Sequence, residues 1–403
     1  MRVAAQALVM ACFLLLSTVT AQAPYKVGAR YEAFLNPTST GSSLLYASVY
    51  YPATQDGYQA PIVKRQGGHP VLVFLHGFGA LGQMYPELGF DFARAGYVSV
   101  LLNTAQNDPP LQIQDGRASY FALLQENVSR GSFYEGQLDT NRMVLGGHSV
   151  GGAAVVHVLA NNPGYRAGVA WAPYAGIDGK YTDISGPLVQ VPVGVIGGLG
   201  DVNTPWDSHG KLVYQSLQTK VLKFAYVFDN EGDHASVVSW MSGKLPVALD
   251  VFTRSMLAAR GLFDKVLYGD PGSLDDAIGL SARVDPHLRS LTTEVEAPCY
   301  IKRGVDQLGQ LALFQLVAND GYSVHMLALQ RVATSTPVGT LYLDPNTIFI
   351  LQVTYQTNAG IALYPHLVPA DVRMKGLVFP VQALHIGSRG VELSNELTIA
   401  VPK

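Results

Sequence analysis

A serine flanked by glycines lies where an apolar segment gives way to a run of small residues. Residues 147–151 read G-H-S-V-G, which has the form G-x-S-x-G. The apolar segment 142–146 precedes them, and the small residues 152–157 follow. A strand, a sharp turn and a helix are the setting in which this motif exposes a nucleophilic hydroxyl. We therefore predict that Ser149 is a nucleophile and that the N–H of Val150 points toward a reacting carbonyl.

A serine hydroxyl needs a base to become nucleophilic, and two later loops contain suitable side chains. Asp201 follows the apolar run 192–198, and His234 lies in the loop after the run 224–228. Both runs read as buried parallel strands, and open α/β sheets place their active sites at the carboxyl ends of such strands. The chain order Ser, Asp, His then predicts His234 as general base and Asp201 as the carboxylate that orients it.

Nearby residues offer alternatives for these roles. Asp229 and Asp233 could supply the carboxylate, although Asp233 adjoins His234 and adjacent side chains rarely face each other. His148 lies beside the serine, and we expect it to be a packing or hydrogen-bonding neighbour rather than a second base. Asp201 could also be an ordinary turn residue, because aspartate favours turns.

A second donor to the reacting carbonyl is expected in the loop after the third strand. The apolar run 71–75 reads as that strand, and it leads into His76-Gly77-Phe78-Gly79. The N–H groups of Phe78 and Val150 would form the oxyanion hole, and the ring of Phe78 would form one wall of the acyl site. The alternative is that the two glycines simply make a turn.

With these motifs in place, the chain resembles a known family from about residue 25 to residue 269. It is similar to the secreted α/β-hydrolase esterases, in the branch of bacterial cutinases and polyester hydrolases. It also resembles dienelactone-hydrolase-like and platelet-activating-factor-acetylhydrolase-like enzymes. The resemblance rests on residues 50–53, 76–79, 138–143, 147–151, 161–163 and 171–174, and on the loops of Asp201 and His234.

The resemblance implies particular site residues and also has departures. It implies oxyanion donors at Phe78 and Val150 and substrate-binding aromatic residues at Phe78, Tyr174 and Trp206. His148 stands where this branch usually has an aromatic residue, so the subsite beside the nucleophile is expected to differ. The C-terminal disulfide common in the branch has no counterpart here.

The first 21 residues read as a signal peptide. Arg2 supplies the positive start, residues 8–16 form an apolar core, and residues 19–21 offer a small-residue cleavage site. We therefore expect a secreted or periplasmic protein. Cys12 lies in this leader, so Cys299 would remain as a single cysteine and no intramolecular disulfide is expected.

The rest of the chain divides into two predicted domains. Residues 22–269 alternate apolar strands with helical segments, which predicts an α/β-hydrolase domain with a mostly parallel central sheet flanked by helices. Residues 270–298 begin with turn formers and are predicted to be a linker. Residues 299–403 contain about seven short apolar runs separated by turns, which predicts a small all-β sandwich. We expect a stabilising or spacer role for it, or contact with a polymer or cell surface, and structural roles for its histidines at 325, 366 and 385.

Composition excludes several classes of partner. The formal net charge is −3 and only 14% of residues are charged, so no basic stripe is available for nucleic acid. No later segment is long and apolar enough to be a membrane span. No spacing of His, Cys or carboxylate residues suggests a metal site, and the expected chemistry needs no cofactor.

The leading hypothesis is a secreted serine carboxylic-ester hydrolase that works through an acyl-enzyme. The substrate would be a small ester, a lipid or a polyester. The alternatives are a phospholipid acetyl-ester hydrolase, a serine peptidase on the same fold, and a non-catalytic binding or adhesion protein with a hydrolase-like scaffold. Loops 106–116 and 175–187 are expected to shape the cleft.

Overall fold

The computed structural model describes most of the chain in two compact units. The described residues are 24–176, 185–218, 221–239, 245–295, 298–303, 311–356, 361–368, 371–387 and 390–401. The division between the units falls at residues 296–297. The predicted signal peptide and most of the loop 175–187 lie outside the described residues.

A ten-stranded sheet forms the centre of the first unit. Its strands are β1 (Lys26–Leu35), β2 (Leu44–Ala53), β3 (Gly57–Tyr58), β4 (His69–Leu75), β5 (Val98–Leu102), β6 (Leu138–His148), β7 (Gly168–Trp171), β8 (Val193–Gly198), β9 (Lys223–Phe228) and β10 (Leu288–Glu294). The order across the sheet is β10-β9-β8-β7-β6-β4-β5-β2-β1-β3. The pairs from β5 to β9 are parallel, whereas β2 with β5, β1 with β2, and β9 with β10 are antiparallel. The central parallel strands β4 and β9 are buried along their whole length, as strands covered on both faces must be.

In the described part of the first unit, six α-helices connect and cover these strands. They are α1 (Pro86–Arg94), α2 (Pro109–Val128), α3 (Val150–Ala160), α4 (Gly210–Ser216), α5 (Val247–Tyr268) and α6 (Leu280–Arg283). Short 3-10 helices lie at Gly82–Met84, Gly186–Leu188, Trp206–Ser208 and Pro271–Asp275. The Asp108 side chain caps α2 by accepting a hydrogen bond from the N–H of Leu111 at 3.0 Å. Helices α2 and α3 share one hydrophobic cluster with β4 and β6, while α1 and α5 meet through the rings of Phe92 and Phe263. No helix among the described residues is long and apolar enough to cross a membrane.

The predicted linker at residues 270–298 is wrong for most of its length. This segment contains the 3-10 helix Pro271–Asp275, α6 and β10, and β10 pairs with β9 at the edge of the main sheet. The Lys223 ammonium lies 3.0 Å from the Glu294 carboxylate, and the Tyr226 hydroxyl donates to Asp285 at 2.6 Å. The turn formers around residue 270 do not begin a linker. They follow the end of helix α5, which stops at Gly269 in the left-handed conformation. Strand β10 was missed because it is a partly exposed edge strand without a continuous apolar run.

In the described part of the second unit, every pair of neighbouring strands is antiparallel. They are β11 (Cys299–Arg303), β12 (Leu311–Val317), β13 (Gly321–Ala328), β14 (Arg331–Thr336), β15 (Gly339–Leu343), β16 (Ile348–Gln356), β17 (Ile361–Leu367), β18 (Val378–Gly387), β19 (Gly390–Leu393) and β20 (Leu397–Ala400). Short 3-10 helices lie at Pro345–Thr347 and Val372–Met374. One sheet has the order β11-β12-β17, a second has β16-β13-β18-β19 with β20 also paired to β18, and β14 and β15 form a hairpin.

The two larger sheets enclose a common core, which confirms the predicted β-sandwich. Tyr300, Phe314 and Tyr364 of the first sheet belong to the same buried cluster as Val381 and Ile399 of the second. Between β19 and β20, Ser394 leaves the strand and hydrogen-bonds the backbone of Ala383. Strands β11 and β14 were not predicted. Cys299 is a buried cysteine in β11.

Candidate active site

Ser149 occupies a strained turn between β6 and α3. Its backbone has φ 56° and ψ −119°, a conformation that costs a non-glycine residue about 1–3 kcal/mol. The flanking glycines are required by close backbone approach. A Cβ on Gly147 would collide with the carbonyl of Gly151, and one on Gly151 would collide with the carbonyl of Leu75. The motif therefore forms the strand–turn–helix elbow that the sequence predicts.

Asp201 and His234 form a direct pair at the carboxyl ends of β8 and β9. The Asp201 Oδ2 and His234 Nδ1 atoms are 2.7 Å apart. Asp201 is almost fully buried, and its Oδ1 also accepts from the N–H groups of Asn203 and Thr204 at 2.8 Å each. Burial alone would raise the pKa of Asp201, but the hydrogen bonds from His234 and Thr204 outweigh it and leave the pKa lowered. Asp201 is therefore held as a carboxylate.

Thr204 joins this pair, although nothing in the sequence analysis singled it out. Its hydroxyl lies 2.7 Å from Asp201 Oδ2, 2.9 Å from the carbonyl of Ala172 and 3.1 Å from His234 Nδ1. Its position three residues after Asp201, in a turn that the Asp201 carboxylate stabilises, is the feature of the sequence from which this contact could have been predicted. Thr204 ties the loop after β8 to the backbone that follows β7.

The two alternative carboxylates have other partners. Asp229 Oδ1 accepts from the N–H of Glu231 at 2.9 Å, and Asp233 Oδ1 accepts from the N–H groups of Ala235 and Ser236. Both stabilise turns of the loop after β9. The structure therefore brings Asp201 rather than either of these to the imidazole of His234.

His148, the neighbour of Ser149 in the chain, contacts His234. The His148 Nε2 atom lies 2.8 Å from the carbonyl oxygen of His234, and the two rings are 4.5 Å apart between centroids. Among the described residues, the hydrogen bonds of the His234 ring involve only Nδ1, so Nε2 is available to a nucleophile. Contacts between nucleophile and base often tighten only when substrate is bound.

The loop 76–79 lies beside the nucleophile turn. A Cβ on Gly77 would lie 3.3 Å from the Ser149 Cβ, so the two backbones are in close contact. Gln112 of α2 braces the loop by donating to the carbonyl of His76 at 2.8 Å. Within the described residues, neither the Phe78 N–H nor the Val150 N–H donates a hydrogen bond. The loop follows β4 rather than the third strand because the two-residue β3 precedes it.

The three aromatic residues expected in the cleft have different surroundings. The Phe78 side chain is 63% exposed. The Tyr174 ring lies 5.0 Å from the ring of His209, whose Nδ1 accepts from the N–H of Ala175. Trp206 is half-buried against the hydrophobic core. Its ring packs so closely on Gly210 that a Cβ at position 210 would collide with it. His209 was not predicted from the sequence.

Comparison with known proteins agrees with the α/β-hydrolase fold of the first unit. Residues 28–248 match the family model described as PET hydrolase-like. A bis(hydroxyethyl) terephthalate hydrolase from Streptomyces coelicolor is 28% identical over 214 residues, which is 53% of this chain and 61% of that protein. Cutinase 1 from Thermobifida cellulosilytica is 23% identical over 228 residues, covering 56% of this chain and 78% of the cutinase.

A more distant similarity reaches a different esterase class. The platelet-activating factor acetylhydrolase of Cavia porcellus is 24% identical over 178 residues, covering 32% of this chain and 40% of that enzyme. The chain thus spans less than two thirds of the length of some relatives that it matches, and its C-terminal unit lies outside the family match. The resemblance read from the sequence is confirmed, because the match covers more than half of the chain: it belongs to the PET hydrolase-like family.

Proposed function

We propose that this protein is a serine carboxylic-ester hydrolase that cleaves esters through an acyl-enzyme intermediate. The observation that carries the proposal is the 2.7 Å contact between Asp201 and His234, placed beside the strained turn of Ser149. A carboxylate-bound imidazole beside a serine in a strand–turn–helix elbow is the arrangement that activates a hydroxyl toward an acyl carbon.

The proposed reaction begins at the His234 ring. Asp201 accepts a hydrogen bond from Nδ1–H, which leaves Nε2 as the basic nitrogen. Nε2 takes the proton of Ser149 as Oγ attacks the ester carbonyl, and it then gives that proton to the departing alcohol. Water then loses a proton to the same nitrogen as it attacks the acyl carbon, and the nitrogen returns that proton to Ser149 Oγ as the bond to the acid breaks. Asp201 stabilises the imidazolium at each stage without accepting its proton.

The oxyanion would be held by backbone donors. The N–H groups of Phe78 and Val150 flank the nucleophile turn, and neither has a partner within the described part of the chain. Each donor of this kind lowers the barrier by roughly 3 kcal/mol. The position of Val150 at the first turn of α3 adds the positive end of the helix dipole.

The substrate class is proposed as a polyester or a small ester related to one. Family membership and two relatives named for terephthalate-ester and cutin hydrolysis support this choice. The exposed Phe78 ring supplies an accessible apolar wall beside the nucleophile, with Tyr174 and Trp206 as further candidate contacts. The phospholipid acetyl-ester and peptidase alternatives differ in substrate, so a panel of esters and amides separates them.

The test uses p-nitrophenyl esters of increasing acyl length, a matched p-nitroanilide and a polyester film. We expect the wild type to hydrolyse esters and release soluble products from the film, and we expect Ser149→Ala to do neither. Hydrolysis of the anilide at a comparable rate would instead favour a peptidase. If the folded wild type cleaves none of these substrates, the binding-protein alternative is correct.

Export is a separate proposal. The charged start, apolar core and small-residue site within residues 1–21 support cleavage of a signal peptide before Gln22. Expression in a bacterial host with a secretion pathway, followed by N-terminal sequencing of the exported protein, is expected to give a chain that starts at Gln22. An intact N-terminus on a cell-retained protein would contradict export.

The second unit is proposed to contact the polymer. An exposed apolar row crosses four of its strands in register, formed by Tyr355, Tyr322, Ile386 and Val391. The two tyrosine rings lie 4.7 Å apart on neighbouring strands. Replacing both tyrosines with serine in the full chain is expected to weaken adsorption to polyester film while soluble-ester hydrolysis stays unchanged. Equal adsorption would contradict this role.

A further inference from the structure

A buried chain of hydrogen bonds runs behind the nucleophile turn and connects two loops of the site. The N–H of Gly77 lies 3.0 Å from the Tyr85 hydroxyl, which in turn lies 3.0 Å from His148 Nδ1. The other ring nitrogen of His148 lies 2.8 Å from the carbonyl oxygen of His234. The chain therefore starts at the residue before Phe78 and ends on the backbone of the proposed general base.

The chemistry of the partners fixes the direction of every hydrogen bond. The His234 carbonyl can only accept, so His148 Nε2 must carry the proton that it donates. In a neutral ring Nδ1 is then an acceptor, and Tyr85 must donate its hydroxyl proton to it. The Tyr85 oxygen is left to accept from the Gly77 N–H.

The surroundings keep both side chains in the states that this pattern needs. Burial lowers the pKa of His148 to about 3, so the ring is neutral at any pH at which an ester hydrolase of this kind works. Burial raises the pKa of Tyr85 to about 12, so its hydroxyl keeps its proton. Both side chains are at least nine-tenths buried, and Tyr85 is held by the ring of Phe74 at 4.8 Å.

We infer that Tyr85 and His148 form a positioning relay, which sets the backbone of His234 relative to the oxyanion loop. The inference rests on the proposed function, because it assigns the relay to that same site. Neither side chain touches the reacting atoms. Their effect would be to keep the Asp201–His234 pair and the Phe78 N–H at fixed positions relative to each other and to the nucleophile turn.

This role differs from lining the substrate site. Both ring nitrogens of His148 are engaged and its side chain is buried, so it offers no polar atom to an ester. A substrate contact would change KM and acyl-chain preference when altered. A positioning residue changes kcat, and it changes the titration of the base that it holds.

The test compares His148→Phe, His148→Gln and Tyr85→Phe with the wild type. Phenylalanine at position 148 removes the donor to His234, and we expect kcat to fall at least about tenfold with KM within about twofold. Its kcat/KM profile should move to lower pH on the acid side, because a looser Asp201 contact stabilises the imidazolium less. Glutamine places an N–H where His148 Nε2 lies and should restore kcat to within about threefold. Tyr85→Phe, which keeps the donor to His234, should fall between the two.

A readout independent of turnover accompanies the kinetics. Proton NMR of the wild type should show a low-field signal from the His234 N–H held by Asp201, and this signal should broaden in His148→Phe. The inference is overturned if the variants differ from wild type only in Tm, if the changes appear in KM instead of kcat, or if glutamine fails to restore activity. Failure of the proposed function itself would look different, since the wild type would then hydrolyse no ester.

Discussion

Both units of this protein contain hydrogen-bonded histidines, but the groups that surround them differ. In the first unit the part-buried ring of His234 is bound by the Asp201 carboxylate and lies against His148, the chain neighbour of the strained Ser149. In the second unit His325 bonds the Tyr300 hydroxyl and stacks on the ring of Tyr364 at 4.5 Å. His385 similarly bonds the hydroxyl of Ser323 at 2.9 Å.

The difference shows that burial of an imidazole is not evidence of chemistry. Burial lowers the pKa of His325 to about 4, and within the described residues no carboxylate hydrogen-bonds its ring to offset that effect. Such a ring is neutral and structural. At Asp201 the hydrogen bonds of His234 and Thr204 keep a buried carboxylate ionised, which is the condition for stabilising an imidazolium.

Removal of the Asp201 carboxylate should have the largest effect on activity. Asp201→Asn should lower kcat by about 10³ to 10⁴-fold, because an amide favours the wrong imidazole tautomer and no longer stabilises the cation. The measurement is steady-state hydrolysis of a p-nitrophenyl ester. The matched control is Asp229→Asn, which changes a turn carboxylate on the neighbouring loop and should stay within a few-fold of wild type. Equal losses in both variants would mean that Asp201 has no special role.

A smaller effect is expected at the residue that braces the pair. Thr204→Val keeps the shape of the side chain but removes the hydroxyl shared by Asp201 and the Ala172 carbonyl. We expect kcat to fall about tenfold, and unfolding free energy to fall by about 1–3 kcal/mol because a buried carbonyl loses its donor. Thr204→Ser should retain most of both quantities. Wild-type kinetics in the valine variant would show that the brace is dispensable.

A change at His325 in the second unit should alter the pH dependence of the protein's stability and leave its activity unchanged. The folded-state pKa of His325 lies near 4, below its unfolded value near 6.5, so the unfolded chain binds more protons between those values. The stability from the neutral ring is full above pH 6.5 and is lost as pH falls to about 4, by about 3 kcal/mol in total. His325→Phe should flatten this part of the pH dependence in denaturant titrations and leave ester hydrolysis within twofold. An unchanged slope would contradict the burial of a neutral ring.

How far the sequence could predict the site depended on how local each signal was. Ser149, Asp201 and His234 follow apolar strands and stand in a recognisable order, so their loops could be located without coordinates. Tyr85 lies 63 residues from His148, and only the fold brings them together. Thr204 was close to Asp201 but looked like any turn residue.

The fold was predicted where burial produced a clear pattern. The parallel strands and the sandwich class are confirmed because continuous or alternating apolar runs mark them. Strand β10 lies at a sheet edge with most of its residues exposed or part-buried, and turn formers precede it, so residues 270–298 were taken for a linker. The strand conformation of β10 depends on its pairing with β9, including the contact of Lys223 with Glu294, and this pairing joins residues distant in the sequence.

The central claim is that Ser149 is a nucleophile activated by the His234 ring. Treatment of the folded protein with a fluorophosphonate, followed by tryptic digestion and mass spectrometry, tests it most directly. We expect one adduct, on the peptide 143–166 in which Ser149 is the only serine, and strongly slowed labelling in His234→Gln. Absence of an adduct on the folded wild type, an adduct on another peptide, or equal labelling rates in both proteins would contradict it.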